Sequence, residues 1–583
     1  MKGLGMSFAD PRQGDLEDDA SSTSHHSLLG HASRMLLEIS LPKLVLAATM
    51  LLVLPALLLG AMPKVVVWLS DTAWHGVARF GVAAALICFA LIAGFVAWRW
   101  GRILFRVVER NFWALNAGLV QPLYTALREA TRLAVESAAP GRPLAVTRRD
   151  AGLLAGVLIA LLGAAVAWWA GPLPTLRVAA FGRGDIPGIV LDAIRNGVWV
   201  IAVYLMIGAP AWSIAEALAG TPEDIVAPEP GEARWRVAHL SDIHLVGDAY
   251  GFRLECGRDG PRGNARFDRV LELLEAEDAQ QPIDVVLISG DITDAARNAE
   301  FIAFDEAVAR HPTLRDRILI IPGNHDVNIV DRANPSRLEL PTAPGGALRR
   351  LRFLSAMARL QGGRVHVVDR ATRRIGPTLD AWLEAGGRGA ALARFMDAGG
   401  MRAGLAARAV WNEAFPLIAP PATPDGLGVV LLDSNAETHF SFTNALGILA
   451  MDQLRAAEAA MAQWPAARWL VAIHHHLAEY PRPGAKLADR IGTALVNGHW
   501  ALQRLRHFAP RILVMHGHRH VDWMGQSGGL RILSAPSPMM GAMDDAERHF
   551  WLHALGARED GGLALLAPTK IVVPGEPPVT EGT

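Results

Sequence analysis

Five short polar clusters, each placed directly after an apolar run, constrain this chain more than any other feature. The clusters are Asp242-Ile243-His244, Gly290-Asp291, Gly323-Asn324-His325-Asp326, His474-His475-His476 and Gly517-His518-Arg519-His520. The apolar runs before them, such as Val285–Ser289 and Ile318–Ile321, predict short buried strands. Ligand sites in open α/β sheets form beyond the carboxyl ends of the strands, so we expect the five clusters to converge on one crevice. Aspartate, asparagine and histidine without cysteine favour a hydrolytic metal pair over a structural zinc site.

The order of these clusters resembles that of the calcineurin-like metallophosphoesterases. The resemblance covers Trp235 to Pro536 and, within the superfamily, is closest to the class III cyclic-nucleotide phosphodiesterases and related bacterial enzymes. It departs from the Ser/Thr protein phosphatases, which have Arg-Gly after the second cluster and Glu at the end of the third, where this chain has Thr293–Ala296 and Asp326. Five clusters in this order are a specific signal, although each alone is weak. The resemblance implies an α/β fold, namely a two-sheet sandwich flanked by helices.

The resemblance also implies a site for two divalent metal ions. Carried over residue by residue, it assigns Asp242, His244, Asp291 and His520 to one metal ion, and Asn324, His474 and His518 to the second, with Asp291 shared. The metal identity stays open among Mn, Fe, Zn and Mg. Side chains two residues apart on a strand point to the same side, which is our expectation for Asp242 and His244 and for His518 and His520.

The remaining polar residues of the clusters have predicted roles in catalysis. His325 cannot share the direction of Asn324, so we expect it to stabilise the phosphoryl charge or to protonate the leaving oxygen. Asp326 is expected to orient His325, as carboxylates commonly do for imidazoles. The attacking group implied by the resemblance is a metal-activated hydroxide.

Several neighbouring residues leave alternatives open. His474 is the first histidine after its strand and is favoured as the ligand, with His475 as the alternative because Leu477, rather than proline, follows the cluster. Asp294 and Asp433 are expected either to hydrogen-bond around the ligands or to cap turns. His516 either contacts substrate or caps its strand and is left unassigned, and His239 and His366 are interpreted as packed or surface residues.

Before the clusters, four apolar stretches approach or exceed the roughly 18–20 residues needed to cross a bilayer. They are Leu44–Met62, Phe80–Trp98, Gly152–Gly171 and about Ile189–Ile207. Tryptophans near their ends, including Trp168 and Trp169, fit an interfacial aromatic belt. We therefore predict an all-α membrane domain of about four helices over residues 41–220.

The distribution of arginine predicts the orientation of these helices. Residues 99–150 contain nine arginines, whereas the short flanking loops are much poorer in basic residues. The positive-inside rule places this segment in the cytoplasm, and four crossings then place both termini and the five clusters there. The protein is accordingly expected to be a multi-pass protein of the cell membrane.

The Gly152-x-x-x-Gly156 spacing favours close helix packing. A transport pathway should contain buried ionisable groups, and the sequence shows no such relay, so an anchor is favoured over a transporter, channel or sensor.

Composition shifts mark the other boundaries. Residues 1–40 are acidic and serine-containing, which is typical of a disordered tail. Residues 221–233 are rich in proline and acids and are interpreted as a linker. Residues 234–575 alternate between strand and helix patterns and form the predicted phosphoesterase domain. Within it, residues 334–420 hold 13 arginines against six acids and are predicted to be a basic helical insert. Two interpretations of this insert are open. It attracts anions or the anionic leaflet of a membrane, or it is a solvated helical cap over the site.

The sequence thus predicts a membrane-anchored dimetal phosphoesterase, with a cyclic nucleotide as the substrate that the resemblance suggests. A phosphatase or pyrophosphatase of a lipid-linked substrate is the alternative, because the anchor and the basic insert would hold the site against the leaflet. A membrane sensor or transporter with a ligand-sensing phosphoesterase domain would predict missing metal ligands, and none is missing. The expected partners are a phosphate-ester substrate and the lipid bilayer. A net charge of −1 and the lack of a basic groove interleaved with aromatic residues give no reason to expect nucleic acid.

Overall fold

The chain divides into two compact units, one covering residues 39–218 and one covering residues 219–583 together with the first 38 residues. A computed structural model describes residues 91, 94, 109, 112–114, 116–139, 141–171, 185–225, 227–247, 253, 263–331, 337–340, 343–481, 495–541 and 547–574. The predicted tail and the apolar stretch Leu44–Met62 lie outside these residues, as does nearly all of Phe80–Trp98.

The second unit contains 15 strands within the described residues. They are β1 (Glu223–Asp224), β2 (Trp235–Leu240), β3 (Val285–Ile288), β4 (Ile318–Ile320), β5 (His366–Asp369), β6 (Arg374–Thr378), β7 (Leu417–Ala419), β8 (Leu427–Leu431), β9 (Arg468–Ala472), β10 (Ile512–His516), β11 (Trp523–Ser527), β12 (Leu530–Ser534), β13 (His549–Ala557), β14 (Leu563–Leu565) and β15 (Thr569–Val572). One sheet has the order β1-β11-β12-β10-β9-β8-β7-β5-β6, and the other has the order β14-β13-β2-β3-β4 with β15 beside β13. Both sheets are mixed. The pairs β2–β3, β3–β4, β8–β9, β9–β10 and β10–β12 are parallel, and the other pairs, such as β2–β13 and β7–β8, are antiparallel.

Helices of both units account for most of the remaining described residues. They are α1 (Gln121–Ala138), α2 (Leu144–Ala170), α3 (Ile186–Ala219), α4 (Ala265–Gln280), α5 (Asn298–Ala309), α6 (Pro312–Arg315), α7 (Asn324–Val327), α8 (Pro344–Gln361), α9 (Leu379–Glu384), α10 (Arg388–Ala398), α11 (Met401–Ala414), α12 (Met451–Ala462) and α13 (Gly498–Leu505).

The alternation of side chains along the central strands explains how the layers pack. On β9, Leu470 and Ala472 join the core that the two sheets share, whereas Trp469 and Val471 face a second core containing residues of α12 and α13. The neighbouring strand β10 divides its side chains in the same way. Strands buried on both faces read as continuous apolar runs, which is the pattern in the sequence. The predicted α/β fold with two packed, helix-flanked sheets is confirmed.

Two segments differ from their sequence-based descriptions. The basic insert contains α8 to α11 but also β5, β6 and β7, which extend the larger sheet. Its description as helical was therefore incomplete, because short strands such as Leu417–Ala419 give too little periodicity to predict. In the segment interpreted as a linker, β1 pairs with β11 and Glu229 forms an ion pair with Arg531, 2.8 Å apart. Residues from Ala219 onward belong to the second unit.

The first unit is described mainly by α1, α2 and the greater part of α3. Residues 145–170 and 190–219 are the segments, among the described residues, that are long and apolar enough to cross a membrane, with mean hydropathies of 2.3 and 1.8. Two of the four predicted crossings thus correspond to helices. Glycine permits close packing here, because a Cβ at Gly163 would clash with the backbone of α3 at Ala202 and one at Gly156 would clash with the Ser213 side chain.

An ion-pair network lies along α1, in the arginine-rich segment. Arg128 is 3% exposed and contacts Glu129 at 3.1 Å and Glu216 of α3 at 2.5 Å. Arg132 bridges Glu129 and Glu136 at 2.9 and 2.6 Å. Part of the basic segment is therefore a packed helix whose charges are paired with acids.

Candidate metal centre

The five polar clusters meet at one edge of the two packed sheets. They follow the carboxyl ends of β2, β3 and β4 in one sheet and of β9 and β10 in the other. Backbone hydrogen bonds join successive clusters, from the Asp242 amide to the Gly290 carbonyl at 3.0 Å and from the Gly517 amide to the His474 carbonyl at 3.2 Å. The His518 amide donates to the Asp242 carboxylate at 3.0 Å. Loops from both sheets thus form one crevice, as the spacing of the clusters predicted.

The backbone at this crevice is strained. Seven non-glycine residues in the described part of the chain have positive φ, and five of them are predicted ligands: Asp242 (55°), His244 (50°), Asp291 (51°), His518 (77°) and His520 (50°). Such conformations cost about 1–3 kcal/mol each and concentrate at functional sites. They also correct our reason for the Asp-x-His spacing. These residues lie beyond the strand ends, so left-handed turns rather than strand alternation direct their side chains into the crevice.

Three predicted ligands form the first group, in which one donor atom of each of Asp242, His244 and His520 lies within 4.8 Å of the others. The His520 Nε2 atom is 3.4 Å from Asp242 Oδ1. The His244 ring is 1% exposed, and neither of its nitrogens makes a hydrogen bond. A buried imidazole with no hydrogen-bond partner needs an explanation, and metal ligation supplies one.

The second group contains Asp291, His474 and His518, again with donor atoms within 4.8 Å of one another. The His474 Nε2 atom lies 3.1 Å from Asn324 Oδ1, 3.2 Å from Asp291 Oδ2 and 3.2 Å from His518 Nδ1. Its Nδ1 atom is bonded to the Ser289 carbonyl at 2.9 Å, which leaves Nε2 directed at the other donors. Asn324, which the sequence also predicted as a ligand, therefore lies in this group.

Asp291 lies between the two groups. Its Oδ2 atom is 3.2 Å from His474 Nε2 and 3.8 Å from His244 Nε2, so one oxygen faces both sides of the crevice. Its Oδ1 atom accepts a hydrogen bond from the His325 amide at 2.8 Å, which fixes the carboxylate in place. This is the position expected of a shared ligand.

The glycine of each motif allows a close approach that a larger residue would prevent. A Cβ at Gly517 would clash with Ser241 and Asp242, and one at Gly323 would clash with Asp291. A Cβ at Gly290, whose φ is 106°, would clash with the His474 ring. Glycine at these three positions therefore brings the backbone against the ligand side chains.

Electrostatics keeps the carboxylates ionised and most of the imidazoles neutral. Burial would raise the pKa of Asp291, but the nearby His474 and His325 hold it well below its usual value. Burial lowers the pKa of His244, with His325 adding to the effect, and burial lowers the pKa of His518 well below its usual value. Although burial opposes it, Asp291 raises the pKa of His474 to about 9, since the two are in contact. Ionised aspartates and neutral histidines are the states in which these side chains bind metal.

The structure gives His325 a different partner from the one predicted. The Asp326 carboxylate accepts hydrogen bonds from the amide and hydroxyl of Thr293 at 2.8 and 2.7 Å and from the Gly323 amide at 2.9 Å, and it does not contact the His325 ring. The His325 Nδ1 atom instead donates to the Asp294 carbonyl at 2.7 Å. Asp326 is thus correctly placed near the site, but it holds the two loops together rather than orienting His325.

Asp294 and the histidines of the fourth cluster lie beside the two groups of predicted ligands. Asp294 Oδ1 is 3.4 Å from His244 Nδ1, and Asp294 forms a further group of potential ligands with His244 and His325. The His475 Nδ1 atom is 2.9 Å from Ser434 Oγ, and the His475 ring lies 4.4 Å from the His518 ring, so His475 borders the second group. Asp433 accepts hydrogen bonds from Trp411 Nε1 and from the amide of Asn435, which is the turn-capping alternative. Sequence alone did not indicate Ser289 or Ser434, because a serine after a strand has no distinguishing signal.

The donor set fits divalent cations. The side chains that meet in the crevice are carboxylates, an amide and imidazoles, which are the ligands of borderline and hard divalent ions. The orphaned nitrogens of buried His244 support this assignment independently of any resemblance.

Part of the chain resembles a known family in sequence. Residues 236–387 match the profile of the calcineurin-like phosphoesterases. Similar solved structures include a putative 5′-nucleotidase from Staphylococcus aureus (11% identity, 60% of this chain and 56% of that one, TM-score 0.30). They also include a dimetal phosphatase from Danio rerio (12% identity, 59% of this chain and 100% of that one, TM-score 0.34). A calcineurin-like phosphoesterase from Bacillus subtilis is a third (12% identity, 59% and 91%, TM-score 0.27).

These structural likenesses are weak, and the assignment does not depend on them. The chain spans little more than half the length of the Staphylococcus protein. No curated protein matches the chain. The family match covers the first three clusters, and the geometry adds the fourth and fifth to the same crevice. Residues 236–387 therefore match the calcineurin-like phosphoesterases, and the five clusters bring together the donor atoms that a metal-dependent phosphoric ester hydrolase needs.

Proposed function

We propose that this protein is a membrane-anchored phosphodiesterase whose crevice binds two divalent cations. Asp242, His244 and His520 would hold one cation, Asn324, His474 and His518 the other, and Asp291 both. The observation that carries the proposal is the position of Asp291, whose Oδ2 atom faces His244 on one side and His474 on the other. When bound, such a cation pair supplies Lewis-acid charge for the phosphoryl oxygens and lowers the pKa of a water molecule so that it can act as a nucleophile.

His325 is the residue of this chain best placed to act on the leaving group. Its ring lies edge to face with His244, with centroids 4.5 Å apart, so it borders the crevice. Because Nδ1 donates to the Asp294 carbonyl, the tautomer is fixed with Nε2 as the atom that accepts or, when protonated, donates a proton. We assign His325 the role of stabilising phosphoryl charge and protonating the leaving oxygen. Asp326 positions the loop that carries it.

The proposed anchor rests on the surface of α2 and α3. On α2, Leu161 is 62% exposed and the terminal Trp168 and Trp169 are 86% and 80% exposed. Largely apolar helical segments of 26 and 30 residues exceed the length needed to cross a hydrocarbon core about 30 Å thick. We propose that these helices cross the cell membrane, that further crossings come from the stretches outside the described residues, and that the positive-inside rule puts the catalytic unit in the cytoplasm.

A cyclic nucleotide is the substrate that we propose first, from the class resemblance. A lipid-linked phosphate or pyrophosphate is the second candidate, and the apolar surface of α2 and α3 is the observation that favours it. The two differ in their need for the helices, because only a lipid substrate must be extracted from the bilayer.

One experiment tests the chemistry and the substrate together. The detergent-solubilised full chain is compared with a chain that begins at Gly220, which keeps β1 and its pairing with β11. Both are assayed with Mn²⁺ against bis-p-nitrophenyl phosphate, cyclic AMP and phospholipid vesicles, with Asn324→Ala as the inactive control.

Each outcome decides between the candidates. Equal cleavage of cyclic AMP by both chains, lost in the Asn324 variant, supports a nucleotide phosphodiesterase on a passive anchor. Lipid turnover by the full chain alone favours the second candidate. Bound metal without turnover of any substrate would contradict the proposed function and favour a ligand sensor.

A further inference from the structure

Helix α11 of the basic insert carries an apolar face that the fold does not use. One side of the helix, including Val410 and Trp411, is buried in the core that the two sheets share. Met401 and Leu405 lie on the other side, and each is 57% exposed. They are the two most exposed large apolar side chains of the catalytic unit among the described residues, since the next, Val572, is 44% exposed.

These side chains form one stripe at the end of a helical hairpin. Met401 and Leu405 are four residues apart and are therefore neighbours on the surface of α11. Ala409, four residues further on, is also exposed and continues the stripe. Gly399 and Gly400, with φ of 60° and 87°, form the turn that joins α10 to α11 directly before the stripe begins. We call Met401, Leu405 and Ala409 the α11 patch.

Two arginines without acidic partners accompany the α11 patch. Arg402 is three residues before Leu405, so the two side chains are neighbours on the helix. Arg394 is exposed on α10, the other helix of the hairpin. Within the described residues, neither arginine makes an ion pair or a hydrogen bond. Arg408, by contrast, is already paired with Glu437.

This combination fits the surface of an anionic membrane. Helices α10 and α11 together contain four arginines against two acids. Apolar side chains beside arginines are typical of helices that lie on a leaflet, where the apolar groups enter the acyl boundary and the cations meet lipid phosphates. Stable attachment to a membrane usually takes two such signals. The α2 and α3 anchor proposed above supplies the second, because a tethered unit meets the leaflet at a high effective concentration.

We propose that the α11 patch, together with Arg394 and Arg402, docks the catalytic unit on the anionic leaflet of the membrane in which the chain is anchored. The inference rests on the proposed function and goes beyond it, because it gives the catalytic unit a charge-dependent contact with lipid of its own. Of the two interpretations of the basic insert, it selects contact with the leaflet. Each arginine near an anionic leaflet should strengthen the contact about fivefold, and added salt should weaken it.

The test uses the full chain in lipid nanodiscs with a fluorescent reporter in the patch. The two native cysteines, Cys88 and Cys256, are replaced by serine, and Ala409→Cys carries an environment-sensitive NBD label. The discs contain phosphatidylcholine alone or phosphatidylcholine mixed with phosphatidylserine, with and without a doxyl-labelled phospholipid that quenches NBD on contact. The same label at Glu272→Cys, an exposed site on α4, measures non-specific quenching.

Two paired substitutions separate the patch from the general charge of the insert. Arg394→Gln combined with Arg402→Gln removes the cations that accompany the patch. Arg373→Gln combined with Arg374→Gln is the matched control, because it removes two exposed arginines of the same insert that lie on neither α10 nor α11. Both pairs change the net charge of the chain by the same amount.

We expect doxyl lipid to quench the label at position 409 in anionic discs and to quench it less in neutral ones. The ratio of docked to undocked protein should fall about thirtyfold in the Arg394 and Arg402 pair and stay within about twofold in the control pair. Met401→Ser combined with Leu405→Ser should also abolish quenching, since it removes the groups that enter the leaflet. An unquenched label in anionic discs, or quenching that survives loss of the two arginines, would overturn the inference. A blue shift of NBD emission without quenching would mean that a second copy of the chain covers the patch, which would overturn it too.

The same discs separate the inference from the proposed function. Retention of the chain in the discs tests the anchor, and turnover of bis-p-nitrophenyl phosphate tests the chemistry. A retained, active chain with an unquenched label would reject the docking surface and leave the proposed function standing. A chain that does not enter the discs or does not hydrolyse the ester would contradict the proposed function. Flotation of the same variants with phosphatidylserine vesicles would then decide the docking surface: binding that is lost with Arg394 and Arg402 would retain it, and no binding by the wild type would reject it.

Discussion

The two units of this chain differ in the side chains that they expose. In the catalytic unit, Asp242 and His474 are fully buried, and the ligand-bearing loops adopt strained conformations to bring such groups together. In the helical unit, Trp168 and Trp169 are almost fully exposed, whereas Asn196 is fully buried. One unit hides charge from water, and the other exposes apolar surface to its surroundings.

The difference shows what each unit requires from its surroundings. Buried aspartates and histidines are tolerated in the catalytic unit because they compensate one another and because a cation can complete the set. Exposed apolar surface is unfavourable in water by about 25 cal/mol per Å². The helices are therefore suited to an apolar solvent, which is the physical basis of the proposed anchor. Four substitutions, ordered by expected effect, test this contrast.

The largest effect is expected from Asp291→Asn, which removes the charge shared by both ligand groups. Several kcal/mol of transition-state stabilisation depend on the cations, so kcat/KM should fall by about a thousandfold. Bound metal, measured by elemental analysis, should fall as well. The control is Asp284→Asn, an aspartate that only caps β2 through the Arg236 amide. Full activity and metal content in Asp291→Asn would show that the buried charges of the catalytic unit serve another purpose.

Leu161→Arg tests the other side of the contrast. An arginine near the middle of a membrane helix costs about 2.5–3.5 kcal/mol of insertion free energy. We expect a smaller fraction of the protein to resist alkaline extraction from membranes. Leu133→Arg is the matched control, since Leu133 is 58% exposed on α1, outside the proposed crossings. If both variants remained equally in the membrane fraction, α2 would not be a crossing.

Gly517→Ala should weaken metal binding without removing a ligand. The added methyl would displace Ser241 and Asp242, and disturbed support of a metal ligand typically costs about tenfold to a hundredfold in affinity. Metal titration of the chain from Gly220 measures the change. Gly363→Ala is the control, because its Cβ would meet nothing closer than an Asp380 oxygen at 3.8 Å. Unchanged affinity in Gly517→Ala would show that the close approach is not needed.

The smallest effect is expected from Glu300→Gln, a buried carboxyl that binds the Ala295 and Arg297 amides, each at 3.0 Å. Burial, and then Asp294, raise the pKa of Glu300 well above its usual value. The folded state therefore binds the proton more tightly than the unfolded state, so this group lowers stability as pH rises from about 4.5 through the folded pKa. Glutamine keeps the acceptor without the charge and should make the catalytic unit more stable than wild type above that range.

Urea unfolding of the chain from Gly220 between pH 5 and pH 8.5 measures this difference. The control, Glu272→Gln, alters an exposed carboxyl whose partner is Arg269. A Glu300→Gln variant whose stability had the same pH dependence as wild type would contradict the raised pKa.

The sequence was informative where one pattern had to satisfy several constraints at once. Apolar runs ending in aspartate, asparagine or histidine predicted both the strands and the edge at which the ligands meet, because strands buried on both faces leave only their ends for polar groups. Long apolar runs predicted α2 and α3, because runs of about 20 apolar residues are typical of helices that cross a bilayer. The insert was harder to predict, because β5 to β7 are short edge strands whose pairing depends on β8 already being in place.

Sequence by itself determined where short buried strands end in polar clusters and where two long apolar helices lie, since these follow from local periodicity and residue chemistry. Only the tertiary structure decided how those residues are used. It placed His474 against Asn324 and Asp291, joined His475 to Ser434, and gave His325 the Asp294 carbonyl as its partner in place of Asp326. Each of these contacts joins groups that are distant in sequence and that packing brings to about 3 Å of one another. A single amino-acid sequence contains no pattern from which such distances can be predicted.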